Sequence, residues 1–273
     1  MHSTASDGAV PAAEVVAAAA RAGLAAIALT DHDTVAGVSE ASRAAEQLHH
    51  LRVVPGVELS AHEGSAEVHL LGLHLARLGE MERDLAQFRA ARHARAERIV
   101  GRLNALGVPV TMDAVIAEAA GGAIGRPHVA RALVAGGWAR DFRDAFDRYL
   151  GMGRPAHVAK EHFALGDAIA LVHRAGGLAI LAHPGASATR ERLERFLAIG
   201  LDGVEVRHPS HPPAEVQRIG RLAAQLGLVP SGGSDWHGAL EGTRTIGVMQ
   251  VPAEWLSEQD ARVRERARRA NVA

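Results

Sequence analysis

Short apolar runs in this chain stop abruptly on charged or imidazole residues, and helical stretches separate one run from the next. Residues 24–29 run straight into Thr30-Asp31-His32-Asp33-Thr34, and residues 53–57 deliver Glu58. Residues 67–74 place His69, Leu71 and Leu73 on one face and Leu70 and His74 on the other, the period of a strand. Residues 178–182 end on His183-Pro184-Gly185, and residues 203–206 lead into Arg207-His208-Pro209-Ser210-His211. Residues 228–230 open onto Ser231-Gly232-Gly233-Ser234-Asp235-Trp236-His237-Gly238. Helical patterns fall between them at 11–22, 38–49, 166–175, 190–199 and 214–227. Strands alternating with helices predict a parallel sheet or an α/β barrel. Polar groups at the C-terminal ends of such strands converge on one face, where barrel sites lie.

The rhythm changes in the middle. Residues 80–106 form a long charge-laced helix closed by Gly107, and Thr111 caps a helix running to Ala120. Gly125-Arg126-Pro127-His128 opens another helix to residue 134, with proline at a favourable first-turn position. A fourth helix is expected at 141–150, a late strand at 246–248 and a C-terminal helix at 258–269. The organisation expected is therefore a barrel domain, residues 1–78 and 156–273, carrying an inserted all-helical subdomain at 79–155. A chain of 273 residues is long enough for both.

The polar residues at strand ends have one chemistry in common. His2, Asp7, His32, Glu58, His69, His183, Asp235 and His237 are all metal-competent, and carboxylates and imidazoles aimed at one point are costly to bury without a cation. Asp235 and His237 stand two apart, so an extended segment sends both side chains from one face. There is no cysteine, so thiolate sites and disulfides are excluded. An oxygen and nitrogen donor set suits manganese, magnesium, iron or zinc. His49, His50, His62, His74, His93, His157, His162 and His173 are expected to be solvated or structural. With 48% hydrophobic but only 3% aromatic residues, the core must be aliphatic. A net charge of -1 argues against a long footprint on duplex nucleic acid, while leaving a small phosphorylated substrate open. No signal peptide or apolar run of transmembrane length is found, so the cytoplasm is expected and no membrane partner.

These motifs carry a resemblance. His-Ser-x-x-Ser-Asp-Gly at 2–8, Thr-Asp-His-Asp at 30–33, Gly-Val-Glu at 56–58, His-Leu-Leu-Gly-Leu at 69–73, Ala-His-Pro-Gly at 182–185 and Gly-Ser-Asp-Trp-His at 233–237 occur in this order. Together with the Arg-Pro-His of the helical insertion, they resemble the PHP (polymerase and histidinol phosphatase) family, and its stand-alone nucleotide phosphatase and exoribonuclease branch most of all. The resemblance implies a distorted (β/α)7 barrel, TIM-like, with up to three divalent ions, manganese first among the candidates. It implies that Asp7, His32 and His237 hold one ion. Glu58 would bridge the other two, with His69 and His183 on one side and His2 and Asp235 on the other. The family motif is His-x-His after a first barrel strand. Here Met1 takes its middle position, so that strand and the first histidine are expected to be missing.

The expected activity is hydrolysis of nucleotide phosphate esters by a hydroxide bridging the metals. Nucleoside 3′,5′-bisphosphates or the 5′ ends of short oligoribonucleotides are the substrates expected from the resemblance. Glu58, Asp235 and His237 are the expected catalytic residues. Arg126 and His128 at a helix start, with His208 and His211 at the pocket rim, are the expected phosphate contacts. Asp31 and Asp33 are expected to orient histidine rings from behind. Alternatives are a histidinol-phosphate phosphatase and a non-catalytic metal- or nucleotide-binding module. The expected assembly is a monomer or a small homo-oligomer.

Overall fold

The computed structural model describes residues 1–270 apart from 49, 120–123 and 160–162. The expected helix ends at His49 and Ala120, and His162, lie outside the described residues. In chain order the elements are α1 (Ala12–Arg21), β1 (Ala26–Leu29), α2 (Val38–Glu46), β2 (Arg52–Glu63), β3 (Ala66–Leu73) and α3 (Leu78–Ala105). Then come α4 (Met112–Ala119), α5 (Arg126–Ala135), α6 (Phe142–Ala145) with a π-helical continuation (Phe146–Leu150), and α7 (Leu165–Arg174). The chain continues as β4 (Leu178–Leu181), a 3₁₀ turn (Gly185–Ser187), α8 (Arg190–Ala198), β5 (Gly203–Arg207), α9 (Pro213–Leu226), β6 (Val229–Gly232) and α10 (Ala253–Ala270). None of the described helices is long and apolar enough to cross a membrane.

The chain divides into two compact units, Met1–Glu82 with His162–Ala273, and Arg83–Glu161. The first is α/β. Its six strands form one sheet in the order β1-β2-β3-β4-β5-β6, curled into a half-barrel. Leu178, Ala179 and Ile180 in β4 are fully buried, as a strand covered on both faces requires. An aliphatic cluster of Val54, Leu71, Leu73, Leu178, Ile180, Ala182 and Val229 fills one side of the sheet. The helices follow their periodicity: α1 buries Ala12, Val15, Val16 and Ala19, one stripe of a helix surface. Gly227, at φ 67, ends α9 in the left-handed conformation glycine adopts cheaply. Asp202 ties the sheet to its helices from a buried position. It accepts from the Ala179 amide at 2.9 Å and from Arg266 at 3.1 Å, and pairs with His173 Nε2 at 2.8 Å.

The second unit has its own aliphatic core, including Ile99, Leu103, Val115, Val129, Leu133 and Leu150. The near absence of aromatics thus leaves both units packed by Ala, Val, Leu and Ile.

Three expectations need correction. The sheet is not all parallel: β3 runs antiparallel to both β2 and β4. Only residues 64 and 65 separate β2 from β3, and a parallel crossover needs a dozen or more. Glu58 does not end a strand. It lies inside β2, opposite Leu71, and projects from the middle of a hairpin. Residues 246–248 form turns rather than a strand.

Candidate metal centre

The segment 1–9 is held between two strand ends. The Met1 ammonium donates to Ala28 O at 3.3 Å, and the Thr30 amide donates to Met1 O at 2.8 Å. On the other side the His2 amide donates to Trp236 O and the Ala9 amide to His237 O, both at 2.9 Å. Asp31 secures the segment from beneath. Its carboxylate accepts from the Ser3 amide (2.7 Å), Ser3 Oγ (2.8 Å) and Ser6 Oγ (2.7 Å). Asp31 therefore grips the loop that carries His2 and Asp7; its bonds are to that loop and not to a histidine ring. Asp33 accepts from Ser60 N and Oγ at 3.0 and 3.1 Å, fixing β2 next to Glu58.

Glu58 lies at the centre of the other seven side chains singled out from the sequence. Glu58 Oε1 lies 2.7 Å from His69 Nδ1 and 3.2 Å from His183 Nε2, and Oε2 lies 3.1 Å from His2 Nε2. His2 Nε2 is 3.3 Å from Asp235 Oδ1. Asp7 reaches His237 Nε2 at 3.3 Å and His32 Nε2 at 3.9 Å. His237 Nδ1 donates to the Asp235 carbonyl at 2.9 Å, which leaves Nε2 as the ring atom that faces Asp7. Donor atoms within 4.8 Å of one another form three overlapping groups: His2, Asp7, His32 and His237; His32, Glu58 and His69; and His2, Glu58 and Asp235.

The electrostatics match this crowding. Burial works against the Glu58 carboxylate, yet hydrogen bonds from His183, His2 and His69 hold it well below the usual carboxylate range. Burial likewise works against protonated His69, but its bonds to Glu58 and Glu67 carry it up to about 10. Asp7 resists burial through the His237 bond and the nearby imidazoles, and is held at about 2. Burial alone dominates His32, which is lowered. Such imidazolium–carboxylate clustering is what a set of ligands does when protons stand where cations would. The donors fit divalent ions: they are all nitrogen and oxygen, and His2 Nδ1 is buried with no hydrogen-bond partner among the described residues, although Asp7 Oδ1 is 3.5 Å away.

The remaining expected site residues separate. His208 is buried, with Nδ1 bonded to Ser210 Oγ at 2.7 Å and Nε2 3.5 Å from Asp235 Oδ2. His211 has both ring nitrogens on main chain. Nδ1 donates to Val206 O and Nε2 accepts from the Gly185 amide, each at 3.0 Å, which leaves no ring nitrogen for a phosphate. Arg126 and His128 belong to the helical unit. Arg126 donates to Leu150 O at 3.3 Å and lies over the Phe146 ring, while His128 Nδ1 accepts from the Gly125 amide at 2.9 Å.

Two neighbours were not foreseen. Glu205, buried in β5, accepts from the His183 amide at 2.7 Å. Burial, with Glu58 and Asp235 nearby, pushes its carboxyl up to about 8 against the pull of His183. A lone carboxylate inside Val204-Glu205-Val206 was the available signal. Arg244 donates to the Asp235 carboxylate; nothing in the local sequence marks it.

Removing the grip beneath the loop tests the arrangement. Asp31→Ala is expected to weaken divalent-metal binding about 10- to 100-fold, the usual cost of losing support behind metal ligands. Titration calorimetry would read it, and wild-type affinity would show that the loop holds its shape without Asp31.

Comparison with known proteins places the geometry in company. Residues 1–107 match the PHP domain. Over 256 residues the chain is 36% identical to the 3′,5′-nucleoside bisphosphate phosphatase of Chromobacterium violaceum, spanning 90% of this chain and 88% of the relative. Over 242 residues it is 36% identical to a 5′-3′ exoribonuclease of Haemophilus influenzae, spanning 86% of this chain and 88% of that one. Among solved structures, a Bifidobacterium adolescentis protein assigned as a metal-dependent phosphoesterase superposes with a TM-score of 0.74 at 34% identity, covering 96% of this chain and 94% of the other.

Proposed function

This chain belongs to the PHP-domain family, and from that premise we infer that it is a metal-dependent phosphoesterase acting on nucleotides. The observation that carries the reading is the buried Glu58 carboxylate shared by His2, His69 and His183, with Asp235, Asp7, His32 and His237 around it. Asp7, His32 and His237 would hold one ion. Glu58 would serve two more, with His69 and His183 on one side and His2 and Asp235 on the other. Manganese is the favoured metal. Divalent ions held there supply Lewis-acid stabilisation of phosphoryl oxygens and activate water at neutral pH.

The chain's own groups do the rest. Glu58, Asp235 and His237 would fix the reacting centre, and the His237 Nδ1 bond to the Asp235 carbonyl sets the ring's tautomer. His208, beside Asp235, would meet a phosphate oxygen or the leaving group. Arg126, at the first turn of α5 with His128 one step beyond Pro127, would offer a guanidinium and a helix N-terminus to a substrate phosphate. A nucleoside 3′,5′-bisphosphate or the 5′ end of a short oligoribonucleotide is the substrate this reading favours. The cytoplasm is the compartment this reading implies. A (β/α)7 barrel is the architecture this reading implies; β1 and β6, the two edges of the six-stranded sheet, line one cavity of about 310 Å³.

Phosphate release with manganese from adenosine 3′,5′-bisphosphate, AMP, histidinol phosphate and short RNA tests the proposal. Release from the bisphosphate or the RNA supports it, release from histidinol phosphate alone changes the substrate class, and release from none defeats it. Arg126→Ala is expected to raise KM about 10-fold or more with kcat less affected, the scale of one lost hydrogen bond to a charged group. An unchanged KM would remove Arg126 from the site.

A further inference from the structure

The turn that carries His183 is built where the sheet stops. β4 and β5 pair only through Ile180 with Gly203 and Leu181 with Val204. Beyond that the two strands part: the Ala182 amide still donates to His69 O on β3 at 3.0 Å, but the amides of 183 and 185, on the β5 side, meet no strand. Side chains take over at alternate positions. The His183 amide donates to Glu205 Oε2 at 2.7 Å, and the Gly185 amide donates to His211 Nε2 at 3.0 Å. His211 is anchored in turn by Nδ1 to Val206 O, so its ring spans the gap between the two strand ends. The carbonyl side of the turn is held as well: Arg218 donates to Gly185 O at 2.9 Å and to Ala188 O at 2.6 Å. Glu215 fixes that guanidinium at 2.6 Å.

This much restraint has a purpose. His183 adopts φ 29 and Gly185 φ 51, and a non-glycine residue keeps a positive φ only where its surroundings hold it there. The turn also sets where the His183 ring meets Glu58 and His69. His211 and Glu205 are 6% and 5% exposed, so neither is a surface contact of convenience.

We propose that His211, backed by Arg218, is a positioning residue that clamps the His183 turn and so sets the geometry of the Glu58–His69–His183 metal position. The clamp lets β4 and β5 diverge to make room for the centre while keeping the ligand on β4 in register with those on β2 and β3. The proposal rests on the metal-centre reading.

Two substitutions separate the ring nitrogens. His211→Gln extends an amide to where Nε2 meets Gly185. His211→Asn reaches only as far as Nδ1, toward Val206. Manganese affinity by calorimetry, the melting temperature of EDTA-treated protein, and KM together form the readout. His211→Asn is expected to weaken manganese binding about 10-fold, the lower end of the cost of removing an outer partner of a metal ligand. His211→Gln should stay within about 3-fold of wild type on the same scale. Both should melt close to wild type without metal. Arg218→Ala, at a partly exposed site whose melting temperature without metal is read alongside, should weaken binding by a smaller factor. Wild-type manganese affinity in both His211→Asn and Arg218→Ala overturns the clamp alone. So does a raised KM in His211→Asn with metal affinity intact, which would make His211 a substrate contact. A wild-type chain that binds no manganese overturns the clamp together with the metal reading.

Discussion

Glu58→Gln is expected to lower manganese-dependent phosphate release by on the order of 1000-fold, because the several kcal/mol of charge stabilisation a metal position supplies is lost with its anion. The substitution keeps the size of the side chain and removes its charge. Glu58 is 3% exposed, and both of its oxygens are already committed to imidazoles. A glutamine there turns one acceptor into a donor facing histidine nitrogens. A variant retaining a tenth of wild-type turnover would mean that the centre is organised around another group.

The same variant carries a pH signature in EDTA-treated protein. Glu58 titrates below its ordinary value of 4.5, so its contribution to stability is complete above that pH and lost on acidification. His69 is raised from 6.5 to about 10, so its contribution is complete below 6.5 and lost as pH rises toward 10. Wild type should therefore exceed Glu58→Gln in melting temperature most clearly between these two ordinary values. The gap should close toward pH 10. A gap that is flat across the range would show that the Glu58–His69 pair contributes nothing to folding.

Gly203→Ala is expected to cost about 3 kcal/mol or more, at or above the upper end of ordinary overpacking, because backbone and not a side chain must move. A Cβ at residue 203 would sit 2.3 Å from Val229 O, and 2.6 Å from both Ile180 Cδ1 and Val229 Cγ2. Gly203 pairs with Ile180 on one side and Val229 on the other, so relief requires parting β5 from β6. Since a domain is stable by only about 5–15 kcal/mol, the loss is a large share. Adding Ile180→Val should not rescue the variant, because the closest obstacle is a carbonyl oxygen. Denaturant midpoints would measure both variants, and a loss under about 1 kcal/mol would mean the sheet yields at this point more easily than packed interiors do.

Much of the centre was legible before any fold was known. Asp31-His32-Asp33 after an apolar run, His183 after another and Asp235 with His237 after a third are polar groups where a buried strand should end. The helix boundaries were legible too, from Gly107, Pro127 and Gly227. The direction of β3 was not, because the two-residue connection that forbids a crossover emerges only once β2 runs on to Glu63. The role of Asp31 was misread because a carboxylate beside a histidine in sequence points to the ring. In three dimensions it faces Ser3 and Ser6, 28 and 25 residues away. His211 sits in a motif rich in imidazoles, and only the Gly185 and Val206 contacts distinguish it from a rim residue.

By itself, the order of residues determined the chemical inventory and the local periods: aliphatic strands and helices, nitrogen and oxygen donors, no thiol. Strand and helix periods are short-range, so they can be read within a few neighbours. Only the tertiary structure decided which donors share Glu58, which glycine lies between two strands, and which histidine props a turn. Those outcomes depend on where distant segments such as 1–9, 58–69 and 203–237 come to rest. That placement is set by the summed packing of the whole core, and no spacing within one segment encodes it.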